Sequence, residues 1–262
     1  MNGNDRKGLV LQDRDRRLLQ ELATMRVFDR EQAKCVAGFS STTRANCRLL
    51  ALTKTGLLRR FFLGTKAGGK KALYALSPAG AKLIGVPYRG PRRSRDEVLV
   101  ADFFVAHQLF VNDFYCAVKH RETPVPGVRF IRWMGFWEPL ESGSPLIPDG
   151  YFELQTPAKT LAAFLEVDLG HEGHAVWKAK VEEYLRYAVS GHFAERFHGP
   201  QFRVLVVTNS DRRMHALRAT VAARTQKLFW FTTFDSITNG GPWSSVWLRP
   251  KDDQPQSLLS RP

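Results

Sequence analysis

Residues 29–76 read DREQAKCVAGFSSTTRANCRLLALTKTGLLRRFFLGTKAGGKKALYAL. The order of signals in this stretch decides the fold of the first part of the chain. Residues 29–37 predict a helix capped by Asp29 and ended near Gly38. Residues 41–55 predict another, with Ser40 or Ser41 as its N-cap and Gly56 just past its end. The runs LLRRFFL and ALYAL then flank GTKAGGKK, a turn rich in Gly and Lys. Two short apolar runs around such a turn predict a β-hairpin.

Working outward, DRDRRLLQELAT (13–24) predicts an earlier helix, capped by Asp13 or Asp15, with Leu18, Leu19 and Leu22 at helical spacing. Downstream, SPAGAKLIG opens a short helix with Ser77 as cap and Pro78 at its first position. Three short helices followed by a hairpin is the order of a winged helix-turn-helix, here over residues 1–84. On its third helix Ala45, Leu49 and Leu52 share an inward face. Thr43, Asn46 and Cys47 fall opposite, with Arg44 and Arg48 at the margins. The exposed N-terminal part of such a helix enters a major groove and reaches base edges. On the hairpin, Lys66, Lys70 and Lys71 stand among Gly64, Gly68 and Gly69, with Arg59 and Arg60 at its base. Lysines there neutralise phosphate, and glycines let the backbone come close. The alternative for the same segment is a small dimerisation domain with a charged loop.

The charge distribution separates two modules. The 262 residues carry a net charge of +14. Residues 1–97 hold 21 Lys and Arg against 8 Asp and Glu, whereas residues 98–262 hold 18 against 17. A cationic segment joined to a near-neutral one points to a polyanion-binding module, with double-stranded DNA the leading partner. The joint, GVPYRGPRRSRDE (85–97), reads as an exposed basic linker whose Arg92 and Arg93 can follow a DNA backbone. With 44% hydrophobic and 24% charged residues the chain has a globular composition, which excludes collagen, coiled coil and wholesale disorder. Cys35, Cys47 and Cys116 are far apart, without a CxxC pair, so neither a disulfide framework nor a thiolate zinc site is expected. The N-terminus has no secretory h-region, and the apolar stretch to Val118 is broken by Asp102, His107, Gln108, Asn112 and Asp113. The expectation is a cytoplasmic protein without a membrane partner.

Residues 98–120 predict one long apolar helix, on which His107 reads as a structural histidine. From Val128 the pattern turns α/β. Strands are expected at VRFIRW, DGYFELQ, TLAAFLEVDLG, FRVLVVT and KLFWFTTF, and helices at 174–190 and at DRRMHALRATVAAR, capped by Asp211. A mixed sheet flanked by helices follows for residues 98–248. The tail, 249–262, reads as disordered.

Acids stand at strand ends in this second part. Asp149 precedes one strand, and Glu166 and Asp168 close the next, two residues apart and so on one face. Three carboxylates so placed suit Mg²⁺ or Mn²⁺, which would activate water against a phosphodiester. On the following helix Trp177, Lys180, Val181, Tyr184 and Ala188 form one stripe, with Lys180 its basic group. The constellation resembles the PD-(D/E)XK nuclease superfamily: Asp149 matches the first acid, Glu166 the second, and Asp168 stands where the pattern has lysine, which Lys180 can supply from the helix. His171 and His174 flank Glu172, either extending a metal site or forming a solvated loop and helix cap.

The chain as a whole resembles the replication-relaxation family of plasmids and mobile elements. The likeness is carried by LQDRDRRLLQELATMRVFDREQAKCV, TGLLRRF, YALSPAGAKLI, HQLFVNDFY, IPDGYFEL, FLEVDLGHEG and KVEEYLRY, in that order. It implies a DNA-binding winged helix joined to a restriction-endonuclease-like domain, and a role in replication, DNA relaxation or mobilisation. Three functions stand open: a duplex-DNA-binding protein, a metal-dependent nickase, and an adaptor for relaxase or replication proteins. Dimers are common among winged-helix DNA binders, and nothing in the residues specifies one here.

Overall fold

The computed structural model describes residues 9–64, 68–89 and 98–259, the side chains of 98–103 excepted. It is a mixed α and β structure in two compact units, Met1–Cys116 and Ala117–Pro262.

In the first unit, α1 (Asp13–Met25), β1 (Phe28–Asp29), α2 (Arg30–Ala37), α3 (Thr42–Lys54), β2 (Leu58–Gly64), β3 (Lys70–Leu76) and α4 (Pro78–Leu83) follow in turn. The expected caps at Asp29, Ser41 and Ser77 each accept a backbone N–H of the following turn. At α1 the cap is Gln12, not Asp13 or Asp15; Asp15 instead closes a capping box by accepting from the Gln12 N–H. The three strands form an antiparallel sheet in the order β1-β3-β2, with Phe28 opposite Tyr74 and Phe61 opposite Leu73. Leu18, Leu19, Leu22, Phe28, Ala45, Leu49, Leu52 and Leu73 are buried, so the inward face expected of α3 is the one observed. At Gly80 a Cβ would stand 2.2 Å from the Leu57 carbonyl oxygen, so only glycine lets α4 close onto the start of the hairpin.

One boundary differs from expectation. The sequence pattern places the long helix α5 (Val98–Lys119) in the second domain, yet most of it belongs to the first unit. The reason is a set of buried polar contacts. Gln32 Nε2 donates to the Leu109 carbonyl at 2.9 Å and to Asp113 at 2.7 Å, and Tyr115 donates to Glu21. Asn112 donates to the Val27 carbonyl, and Leu109 packs with Val27 and Leu73. An amphipathic pattern shows that a helix has a buried face but not which partner covers it. The same packing brings Cys35 and Cys116 together, and the neighbouring Cys35 thiol and burial push the Cys116 thiol upward.

In the second unit, β4 (Arg129–Met134), β5 (Gly150–Gln155), β6 (Thr160–Asp168), α6 (His174–Val189), α7 (His192–Phe197), β7 (Arg203–Thr208), α8 (Asp211–Ala222), β8 (Phe229–Thr233) and α9 (Phe234–Gly240) build one five-stranded sheet in sequence order. β4, β5 and β6 are antiparallel, and β6, β7 and β8 are parallel. Helices α6 and α8 make the crossovers that parallel pairing requires. Phe164 sits amid Tyr151, Tyr184, Phe193, Phe197 and Phe202, its ring centroid 5.0 Å from both Tyr151 and Phe202. The short helix α7 exists to deliver Phe193 and Phe197 to this cluster. On α6 the buried stripe is Trp177, Val181, Tyr184 and Tyr187; Ala188, expected inside, is exposed. Ser210, not Asp211, caps α8, its hydroxyl oxygen accepting the Arg213 N–H.

The tail, expected to be disordered, is packed as far as Leu259. Trp247 pairs with Gln256, and Leu258 and Leu259 are buried. Arg218, itself buried, donates to the carbonyls of Arg249 and Asp252 and to the Asp253 carboxylate. Polar composition concealed this anchoring. Among the described residues no helix is long and apolar enough to cross a membrane.

Candidate nucleic-acid interface and carboxylate–lysine cluster

In the first unit, α2 ends at Gly38 in a left-handed conformation, and a short turn leads to the Ser41 cap of α3. This brings Thr43, Arg44, Asn46 and Cys47 to the surface at the N-terminal end of α3. Arg44 Nη1 donates to Ser40 at 3.1 Å, which draws its guanidinium toward the helix start. Lys70, Arg59 and Arg60 are exposed on the hairpin. Arg59 donates to the Tyr88 hydroxyl at 2.8 Å, and Arg60 lies over Phe62, which is itself 49% exposed. Lys71 reaches the Asp29 carboxylate at 2.9 Å, which neutralises part of its charge. Lys66, Arg92 and Arg93 lie outside the described residues.

Arg48 is the exception among the expected contacts. Its Nε donates to Asp15 Oδ1 at 2.7 Å, a second nitrogen donates to Oδ2, and Nη2 also reaches the Val10 carbonyl. Asp15 is fully buried. Burial would raise its carboxyl, but Arg48 and the Gln12 N–H outweigh it and hold the carboxyl below the usual range. Arg48 therefore fastens α3 to α1. Exposed-face spacing could not show this, because the partner lies 33 residues away.

In the second unit, Gly150 lets the Trp133 ring lie against the start of β5, where a Cβ would stand 2.4 Å from Cζ2. That close approach sets the chain beside Asp149, whose Oδ2 accepts the Val167 N–H at 2.7 Å. Glu166, on the neighbouring strand, is buried; its Oε2 accepts from Lys180 Nζ at 2.8 Å and its Oε1 from the Tyr184 hydroxyl at 2.5 Å. Lys180 also bonds Glu172 at 2.8 Å. Burial pushes the Glu166 carboxyl up to about 7, with Asp149 adding to the rise and Lys180 opposing it. Burial alone would lower Lys180, but Glu166, Glu172 and Asp149 prevail and raise it. Lys180 thus bonds Glu166 directly and feels the charge of Asp149.

Asp168 is not part of that group. Trp177 Nε1 and Arg213 Nη2 donate to its Oδ2, and Arg213 Nε and the Gly170 N–H to its Oδ1, all at 2.7 Å. With four donors on two oxygens it serves as an anchor for Arg213 and Trp177. The expected three-carboxylate site for Mg²⁺ or Mn²⁺ is therefore not assembled. The Lys180 ammonium stands where a cation would meet Glu166, and no group of three or more His, Cys, Asp or Glu residues suited to a metal ion occurs among the described residues. His174 turns away, its Nδ1 paired with Thr220 at 2.9 Å.

Residues 19–200, well over half the chain, match the replication-relaxation family. The chain belongs to the replication-relaxation family. Comparison with curated proteins and with solved structures finds no match.

The residues of this replication-relaxation protein that pattern alone missed are Tyr184, Trp177 and Arg213. Tyr184 and Trp177 looked like core on a helical stripe, and their polar atoms become informative only once Glu166 and Asp168 face them. Arg213 sits 45 residues from Asp168 and had no signal of its own.

Proposed function

We propose that this protein binds double-stranded DNA of a plasmid or mobile element through its first unit, folded as a winged helix-turn-helix, in replication, relaxation or mobilisation. The observation that carries this reading is the surface made by the α3 N-terminus and the β2–β3 hairpin. There Thr43, Arg44 and Asn46 stand exposed beside the cations Arg59, Arg60 and Lys70, within residues 1–97, which hold nearly all the excess positive charge. Side chains of the first kind read base edges; those of the second neutralise phosphate and position the helix. Within the cell such a protein works in the cytoplasm, alongside relaxase or replication proteins. Fluorescence anisotropy of labelled duplexes tests the reading. With about six phosphate contacts, affinity falls on the order of 10³-fold between 50 and 200 mM salt. Affinity that does not change with salt would overturn it.

A second reading, nuclease-like descent of the second unit with nicking activity, is favoured by one observation: Lys180 donates to Glu166 beside Asp149. The engaged oxygens of Asp168 count against it. Incubation with supercoiled plasmid and Mg²⁺ or Mn²⁺ decides. Nicking by the wild type that is lost in Asp149→Ala and Lys180→Ala supports the enzyme. Intact plasmid with duplex binding retained leaves DNA binding as the function.

A further inference from the structure

Glu166 and Asp168 lie at the C-terminal end of β6. The opposite end of the sheet carries a different chemistry. Because β6, β7 and β8 run parallel, they begin side by side, and a cavity of about 310 Å³ lies at their starts. Four cations line it, Lys159, Arg203, Lys227 and Arg249, and no acid occurs among its described lining residues. Arg203 and Arg249 both lie over the Trp230 ring, at 4.4 Å and 4.6 Å from its centroid. Each also donates to a backbone oxygen, Arg203 Nη1 to Leu258 at 3.0 Å and Arg249 Nη2 to Gln226 at 2.9 Å. Burial and the charge of Arg249 lower Arg203 to about 10. Asp252 pulls Arg249 upward, but burial prevails and Arg249 too is lowered. Two guanidiniums thus share one indole in a partly desolvated place, at 4.4 Å and 4.6 Å from its centroid and with the charge of Arg249 felt at Arg203, which is costly until an anion joins them.

We propose that this cavity is a binding site for a phosphate group, carried by a mononucleotide or by the phosphorylated end of a DNA strand. Guanidinium forks match phosphate oxygens in pairs, and the two lysines add point charges at the rim. The volume suits one nucleotide, at the low end for small-molecule sites, and not a duplex. Phe202 and Leu161 supply apolar wall. The Trp230 ring is covered by the arginines and offers no platform for a base, so recognition rests on phosphate and is indifferent to the base. The site is built from residues of the second unit and shares none with the α3 surface, so neither reading depends on the other.

Isothermal titration of the full chain with the four deoxynucleoside 5′-monophosphates tests this, with deoxynucleosides and 5′-hydroxyl hexanucleotides as controls and inorganic phosphate as competitor. The expected result is binding of all four monophosphates with similar affinity, displacement by phosphate, and no binding of deoxynucleosides. Stronger binding of a 5′-phosphorylated hexanucleotide identifies a strand end as the source; stronger binding of the monophosphates identifies a free nucleotide. Lys159→Glu with Lys227→Glu alters only exposed side chains and lowers affinity at least roughly tenfold, as expected for loss of charge-assisted contacts. Arg249→Gln does the same if its melting temperature matches the wild type. Equal affinity for phosphorylated and unphosphorylated ligands, or an unchanged affinity in the double lysine variant, overturns the proposal.

Discussion

Arg213 closes on Asp168 with two parallel bonds, Nε to Oδ1 and Nη2 to Oδ2, both at 2.7 Å. Asp168 is buried and Arg213 nearly so, with 16% of its side chain exposed. The pair joins the end of β6 to the start of α8, and Trp177 brings α6 to the same carboxylate. A residue that sequence placed in a metal site is thus the fastening of three elements.

Removing one partner leaves the other charge buried without its counterpart. Arg213→Ala is expected to destabilise the protein by about 3 kcal/mol or more. Urea unfolding measures this. A loss well under 1 kcal/mol would mean that solvent already screens the pair. Duplex affinity of the folded variant stays unchanged, since the first unit is untouched.

The two buried carboxylates on β6 give opposite pH dependences. Arg213 and Trp177 outweigh the upward push of burial and hold Asp168 below the ordinary 3.8. Its stabilising contribution is present above that value and is lost as pH falls through the folded pKa. Glu166 is raised from 4.5 to about 7, so in that window the folded state binds more protons than the unfolded state. Its effect is a stability that declines as pH rises between those values. Glu166→Gln removes this slope, and melting temperature against pH reads it. An unaltered slope in the variant would assign the decline to other groups.

Arg48 was expected on DNA and is found on Asp15. Arg48→Ala is therefore expected to cost about 3 kcal/mol of stability, because Asp15 is left buried and unpaired. Under conditions where the variant is folded, its duplex affinity matches the wild type. Denaturant titration together with anisotropy separates the roles: loss of affinity at full stability would return Arg48 to the interface.

The proposed phosphate and base contacts predict different losses. Lys70→Glu with Lys71→Glu weakens binding to every duplex alike, with Lys70 dominant because Lys71 is shared with Asp29. Asn46→Ala instead narrows the gap between target and random DNA, by about 1–3 kcal/mol if its contact is bidentate. Anisotropy on both kinds of duplex distinguishes them, and the reverse pattern would exchange the roles of helix and hairpin.

Much of this was legible in residues 29–76 and in the strand patterns after Val128. Asp29, Ser41 and Ser77 act through local bonds to the next helical turn, and local bonds leave local signatures. The approach of Lys180 to Glu166 was legible too, because a lone lysine on an apolar stripe needs an acid. The short helices α7 and α9 were not, since six or seven residues hold too little periodicity. The tail looked disordered because its anchors are single residues, Gln256, Leu258 and Leu259, whose partners are distant in sequence.

From the sequence alone follow the kinds and order of the longer elements, the split of charge between the two parts of the chain, the buried face of α3 and, Ala188 aside, that of α6. Those follow from period, caps and charge, all interactions within a few residues. Only the tertiary structure decided that α5 joins the first unit, that Asp15 claims Arg48, that Arg213 claims Asp168, and that four cations meet at the starts of three parallel strands. Each depends on the pairing of groups tens of residues apart. Spacing along a chain cannot specify such pairs, because the energy of a buried charge is set by whichever partner the packing brings to it.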